Sequence, residues 1–201
     1  MLMIVNKTRS LAVLAVLGVI AATPALAADG KALFADKGCT ACHGEDAKTP
    51  LEPGYPRLAG QNGDYMFNQM KDIKSGARAN ALSEGTMKPI LEDVTEPEMR
   101  AMADYLAGLG PIAGKGDQAH PGKKLYMTKT CVACHGKDGA KPIMKTYPYL
   151  AGQDMAYLIR QATDIKVSAR KNGGANSMQP VMHLVSDEEL AAISEFLANV
   201  K

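Results

Sequence analysis

The chain is 201 residues long and carries 23 lysines and arginines against 21 aspartates and glutamates, with four cysteines and no tryptophan. That balance argues against the cationic surface that nucleic-acid binding needs. After the first 27 residues no apolar run is long enough to span a bilayer, so the expected membrane association is peripheral at most.

Residues 1–27 combine Lys7 and Arg9, the apolar run Leu11 to Ala22, and Ala25-Leu26-Ala27. A basic start, an apolar stretch too short to cross a membrane and an A-x-A ending predict a secretory signal peptide cleaved before Ala28, rather than a retained anchor. The expected compartment is the periplasm. Losing Lys7 and Arg9 leaves 21 basic residues against the 21 acidic ones.

A short helix over about Lys31 to Lys37 is expected to run into Cys39-Thr40-Ala41-Cys42-His43. Two thiols three positions apart can each add to a vinyl group of one porphyrin, and the histidine after the second lies under the iron. This is the pattern of c-type haem attachment. A thioredoxin-like dithiol needs a βαβ setting that is missing here, and structural zinc wants two C-x-x-C pairs much closer together than Cys42 and Cys131. A second copy, Cys131-Val132-Ala133-Cys134-His135, follows the first by 92 positions. Two covalently bound haems are expected, held by Cys39 and Cys42 and by Cys131 and Cys134. All four cysteines are then used, and none is left for a disulfide.

The same shift of 92 superposes Gly30-Lys31 on Gly122-Lys123, Phe34 on Tyr126, Tyr55-Pro56 on Tyr147-Pro148, Leu58 to Gln61 on Leu150 to Gln153, Tyr65 on Tyr157, and Gln69 on Gln161. After one deletion the shift becomes 91, so that Met87 meets Met178 and Pro89 meets Pro180. A whole domain has been duplicated, longer than any solenoid repeat. The expected organisation is residues 28–109, a Gly- and Pro-rich linker over 110–121, and residues 122–201. Each copy reads as all-α. Apolar periodicity predicts a helix over about Gly63 to Ser75 and again over Met155 to Val167. Thr95-Glu96-Pro97-Glu98 and Ser186-Asp187-Glu188-Glu189 are capping boxes that open the last helix of each copy.

The sixth iron position decides between electron transfer and substrate chemistry. Met66, Met70, Met99, Met102 and Met182 each face a different apolar residue in the other copy, as core packing allows. Met87 and Met178 face each other, each in a Met-x-Pro setting expected to be a loop before the capped helix, and are the expected distal ligands opposite His43 and His135. Such ligation fills both axial positions and leaves none for substrate. Pro56 and Pro148 are candidates to hold the histidines' other ring nitrogen through a carbonyl, with Pro50 and Pro142 competing. Gln61, Gln153, Tyr65, Tyr157 and Arg57 are weaker candidates for contact with the haem edge or propionates. His120 and His183 do not repeat and are expected on the surface.

Two C-x-x-C-H motifs, each followed by Pro-x-Leu-Ala-Gly-Gln and a methionine before a terminal helix, resemble the cytochrome c4 family. The resemblance covers nearly the whole chain after residue 27. It implies two tandem all-α class I cytochrome c domains related by an approximate twofold axis, with haems facing across the interface. It also implies an electron carrier, not an enzyme, whose partners are a redox donor such as a quinol-oxidising complex and an acceptor such as a terminal oxidase. The alternative is the two-haem cytochrome subunit of an enzyme such as flavocytochrome sulfide dehydrogenase. A two-haem peroxidase needs an iron that opens to peroxide, against which the paired methionines argue. Charge divides unevenly: residues 28–110 hold 9 basic and 13 acidic side chains, and residues 111–201 hold 12 and 8. The two faces around the haem motifs are therefore expected to carry opposite fields, with Lys129, Lys137, Lys141 and Lys145 on the second and Glu45, Asp46 and Glu52 on the first.

Overall fold

The computed structural model describes residues 29–80, 82–110 and 116–200. The expected signal peptide and residues 111–115 of the expected linker lie outside the described residues, within which every regular element is helical. The first repeat comprises α1 (Gly30–Asp36), α2 (Thr40–His43), α3 (Gly63–Ser75), a π-helical turn (Ser83–Met87), α4 (Lys88–Leu91) and α5 (Glu96–Gly108). The second comprises α6 (Pro121–Thr128), α7 (Cys131–His135), a 3₁₀ turn (Lys137–Gly139), α8 (Met155–Lys166), α9 (Ala175–Met182) and α10 (Asp187–Ala198).

Each repeat closes its own apolar core. Phe34, Met66, Ile73, Leu91, Met99, Met102 and Leu106 form one, and Tyr126, Ile165, Met182, Leu190, Ile193, Phe196 and Leu197 form the other. In both, the first helix crosses the last at a glycine. A Cβ on Gly30 would lie 2.1 Å from the Ala101 carbonyl oxygen, and one on Gly122 would lie 2.0 Å from that of Ala192. Only a residue without a side chain lets the helix backbones approach so closely. Both capping boxes are formed: Thr95 and Glu98 at the start of α5, Ser186 and Glu189 at the start of α10.

The methionine segments are not loops. Met178 lies inside α9 despite Pro180, and Met87 ends the π turn and caps α4. The repeat explains the difference between them, since Met87 follows Asn80 by seven positions and Met178 follows Asn172 by six. An i→i+5 turn holds one residue more than an α turn, so the extra residue of the first repeat is absorbed as π helix and the methionine keeps its place.

His120 also departs from expectation. It is half-buried, and its Nδ1 accepts from the Gly122 N–H at 3.0 Å, capping α6, while His183 is exposed as expected.

The repeats meet face to face by reciprocal hydrogen bonds, the signature of an approximate twofold relation. Gln61 reaches the backbone of Tyr149 and Gln153 reaches that of Arg57. Bonds without a symmetric counterpart add to these: Arg57 Nη1 donates to the Gly152 carbonyl at 2.6 Å, and the Gly54 N–H donates to Asp154 Oδ1 at 2.8 Å.

Candidate haem sites

Within each C-x-x-C-H stretch the two sulfurs and the imidazole stand at i, i+3 and i+4, so one helical turn directs all three to one side. That turn is α2, closed by the His43 N–H donating to the Cys39 carbonyl at 3.0 Å, and α7 in the second repeat. Each ends at a glycine with positive φ, Gly44 at 79° and Gly136 at 72°, where the chain must turn away at once. A Cβ on Gly136 would also meet the Lys141 carbonyl oxygen at 1.9 Å.

All eight residues expected to hold haem open onto one cavity of about 640 Å³ that runs across the domain interface. Cys39, Cys42, His43 and Met87 border it in the first repeat, and Cys131, Cys134, His135 and Met178 in the second. Each predicted set thus borders the same space. His43 and His135 are 4 % and 6 % exposed. Of the two competing prolines, Pro56 and Pro148 lie against the histidines: His43 Nδ1 is 3.0 Å from the Pro56 carbonyl oxygen, and His135 Nδ1 is 3.5 Å from that of Pro148.

These groups suit a porphyrin iron. Each proline carbonyl accepts the Nδ1 proton, which leaves the Nε2 lone pair free. The His43 Nε2 is buried and has no hydrogen-bond partner among the described residues, as a metal-directed nitrogen should be. Burial pushes both imidazoles below their ordinary protonation range, only partly offset by the carbonyl bonds, so both stay neutral and able to coordinate. Burial raises the Cys39 and Cys131 thiols. Met87 and Met178 are half-buried at the cavity; Met66, Met102 and Met182 also border it but are buried in the cores, Met70 is half-buried there and faces Ala162 in the repeat, and Met99 lies away from it.

Sequence reasoning missed part of the wall. Arg78 and Arg170, Asn80 and Asn172, and Asp72 and Asp164 line or support the cavity between the repeats. They repeat at the same shift of 92 within D-I-K-x-x-A-R-x-N, a signal present in the sequence. Gln61 and Gln153, considered for haem contact, border the cavity and also engage the opposite repeat's backbone. Lys129 is not free beside the haem stretch, since its Nζ pairs with Glu189 at 2.8 Å.

A duplicated helical fold whose two C-x-x-C-H turns share one buried cavity defines a c-type cytochrome with two haems. The cytochrome c family model matches residues 27–110 and 119–201. A cytochrome c4 of Azotobacter vinelandii is 33% identical over 193 residues, covering 88% of this chain and 89% of that protein. A Stutzerimonas stutzeri protein named thiosulfate dehydrogenase electron acceptor is 33% identical over 195 residues, covering 88% of each. The solved cytochrome c4 of Pseudomonas stutzeri superposes with a TM-score of 0.71 at 27% identity, covering 86% of this chain and 97% of that one. That of Acidithiobacillus ferrooxidans gives 0.70 at 28%, covering 83% and 99%. The chain belongs to the cytochrome c4 family, and is an electron-transfer protein with two covalent c-type haems rather than an enzyme.

Proposed function

We propose that the protein is a periplasmic carrier moving electrons from a quinol-oxidising complex or a soluble donor towards a terminal oxidase. Residues 1–27 are read as the export signal, 28–109 and 122–201 as the haem domains, and 110–121 as their linker. Cys39 and Cys42, and Cys131 and Cys134, are assigned to thioether attachment. His43 with Met87, and His135 with Met178, are the residues that would hold the two irons. Each haem, when bound, stores one electron. The prolines' carbonyls hold each imidazole in its coordinating tautomer, and a methionine thioether would favour the reduced state of a bound haem relative to a second histidine.

The observation that carries this reading is the shared cavity, with both ligand sets opening onto one space between the domains. Electrons can then enter at one domain and leave at the other. A second reading sets a thiosulfate-oxidising enzyme as the donor. It is favoured by the Stutzerimonas stutzeri relative, whose name makes it the electron acceptor of a thiosulfate dehydrogenase.

The test uses the purified full-length holoprotein, followed by haem absorption. It is offered electrons by quinol-oxidising membranes, or by thiosulfate dehydrogenase with thiosulfate, and is then mixed with a terminal oxidase. Rapid reduction by the membranes and reoxidation by the oxidase is expected. Reduction by the thiosulfate system alone moves the donor to the second reading, and failure to reoxidise with the oxidase overturns the proposed route.

A further inference from the structure

The polar seam between the domains holds two buried cations, Arg78 and Arg170, with no carboxylate bonded directly to either. Arg78 and Arg170, equivalent in the repeat, are 6% and 8% exposed. Among the described residues neither forms an ion pair. Arg78 donates through Nε to Asn80 Oδ1 (3.3 Å), through Nη1 to Gln69 Oε1 (2.9 Å), and through Nη2 to the Tyr157 hydroxyl (3.2 Å) and Gln161 Oε1 (2.7 Å). Arg170 mirrors it, donating to Asn172 Oδ1 (3.1 Å), Gln161 Oε1 (3.0 Å), the Tyr65 hydroxyl (3.1 Å) and Gln69 Oε1 (2.9 Å). Every acceptor is neutral.

Both guanidinium groups bond to the same two glutamine oxygens, so two like charges sit side by side at the centre of the molecule. Of five N–H donors on each, four are used, leaving one Nη1 hydrogen apiece. The nearby carboxylates are a residue removed: Asp72 accepts from Asn172 at 2.7 Å and Asp164 from Asn80 at 2.5 Å. Burial alone would raise the Tyr157 phenol, yet the two arginine charges bring it below its ordinary range. A pair of buried cations with spare donors, lining the cavity that the histidines border, calls for an anion in that cavity.

The anions that haems bring are their propionates. We propose that Arg78 and Arg170 are shared counter-ions of the haem propionates at the domain interface, each acting on both haems, so that the two reduction potentials are set jointly. The proposal rests on the two-haem reading of the cavity. Each guanidinium bonds to acceptors of both domains, and its charge therefore belongs to neither alone. A positive charge beside a haem favours the reduced, less positive iron, and its removal disfavours it.

The full-length holoprotein is titrated potentiometrically, with each haem followed by its own NMR methyl resonances. With Arg78→Gln, the reduction constants of both haems should fall by about threefold to tenfold, tenfold being about 59 mV for one electron. Arg170→Gln should do the same. Arg78→Lys, which keeps the charge but loses the planar fork, should leave both close to wild type. A shift confined to the first-domain haem, or no shift in either, overturns the shared role, while a wild type titrating as two one-electron centres leaves the two-haem reading standing. Should Arg78→Gln fail to retain haem, Arg170→Gln and Arg78→Lys decide the matter in the same titration.

Discussion

Gln61 satisfies both backbone groups of Tyr149, its Nε2 donating to the carbonyl at 2.9 Å and its Oε1 accepting from the N–H at 2.7 Å. Gln153 does the same for Arg57, at 2.9 Å and 2.7 Å. The amide side chain presents one donor and one acceptor in a plane, which matches a single peptide residue as a neighbouring strand would. Truncating either glutamine strands two part-buried backbone groups, each costing about 1–3 kcal/mol when unsatisfied. Gln61→Ala and Gln153→Ala should each lower stability in urea by about 2 kcal/mol. They should also separate the unfolding of the two domains, seen as non-coincident loss of the two haem spectra. A change within error in both variants would show that the clamp contributes nothing.

The axial assignment is tested at the methionines. Met87→Ala and Met178→Ala should each remove one of two contributions to the far-red sulfur-to-iron absorption of the oxidised protein, and each should lower the potential of one haem. A core methionine away from the cavity supplies the control: Met99→Leu, at a site 0% exposed, should leave the spectrum alone. If either alanine variant keeps both contributions, that ligand is misassigned.

Much of this was legible because duplication makes the chain its own comparison. Met87 and Met178 stood out by facing each other, and the capping boxes announced α5 and α10 from four residues each. The interface was legible only as identity, not as role. Arg78 and Arg170 repeat in register, but periodicity cannot tell an exposed arginine from one buried against a second domain, because that depends on how two folded surfaces meet. The π turn was hidden for a related reason. A one-residue deletion reads as a loop difference in sequence, whereas helical hydrogen bonding absorbs the extra residue by widening one turn. Pro180 pointed the same way, as a helix breaker that the structure nonetheless carries inside α9.

Glu98 gives the first domain a defined acid sensitivity. The Thr95 backbone N–H, then its hydroxyl, then Lys37 hold this carboxyl down from 4.5 to about 2. A carboxylate depressed in the folded state adds stability above its unfolded value, and that stability is lost as pH falls from about 4.5 to about 2. Glu98→Ala should therefore melt below wild type at neutral pH, and the two melting temperatures should converge as pH falls to about 2. A gap that stays constant with pH would mean the side chain acts through packing instead of charge.

The separate cores predict that the domains are independent in folding. A chain cut between Gly110 and Gly116 should yield two halves that each bind haem, since each retains its own C-x-x-C-H turn, methionine segment and capped helix. Analytical ultracentrifugation of the mixed halves should show them associating through the glutamine clamps. If neither half retains haem, the interface rather than the individual core holds the fold together.

The two haem-side surfaces differ in charge around a shared apolar feature. Leu51 and Ile143 are equivalent in the repeat, and their N–H groups donate to the Cys42 and Cys134 carbonyls at 3.1 Å and 3.0 Å. Both are exposed, at 67% and 66%. Around Ile143 stand the exposed Lys137, Lys141 and Lys145, and around Leu51 the exposed Glu45 and Glu52, which outnumber the one exposed cation there, Lys48. Asp46 is exposed as well, but it accepts the Lys48 and Thr49 N–H groups, both at 2.8 Å, so reversing it would disturb the loop as well as the field. Charges of one sign around an apolar contact steer encounter with a partner of the other sign, and salt weakens that steering. An acidic redox partner should therefore dock on the second domain and a basic one on the first. With an acidic acceptor at low ionic strength, Lys137→Glu with Lys141→Glu should slow the second-order electron-transfer rate about tenfold and flatten its salt dependence. Glu45→Lys with Glu52→Lys should leave that rate within about twofold. Stopped-flow measurements across ionic strength decide it: equal effects from both pairs, or none from either, would mean that these charges are solvated surface and that docking is not divided between the domains.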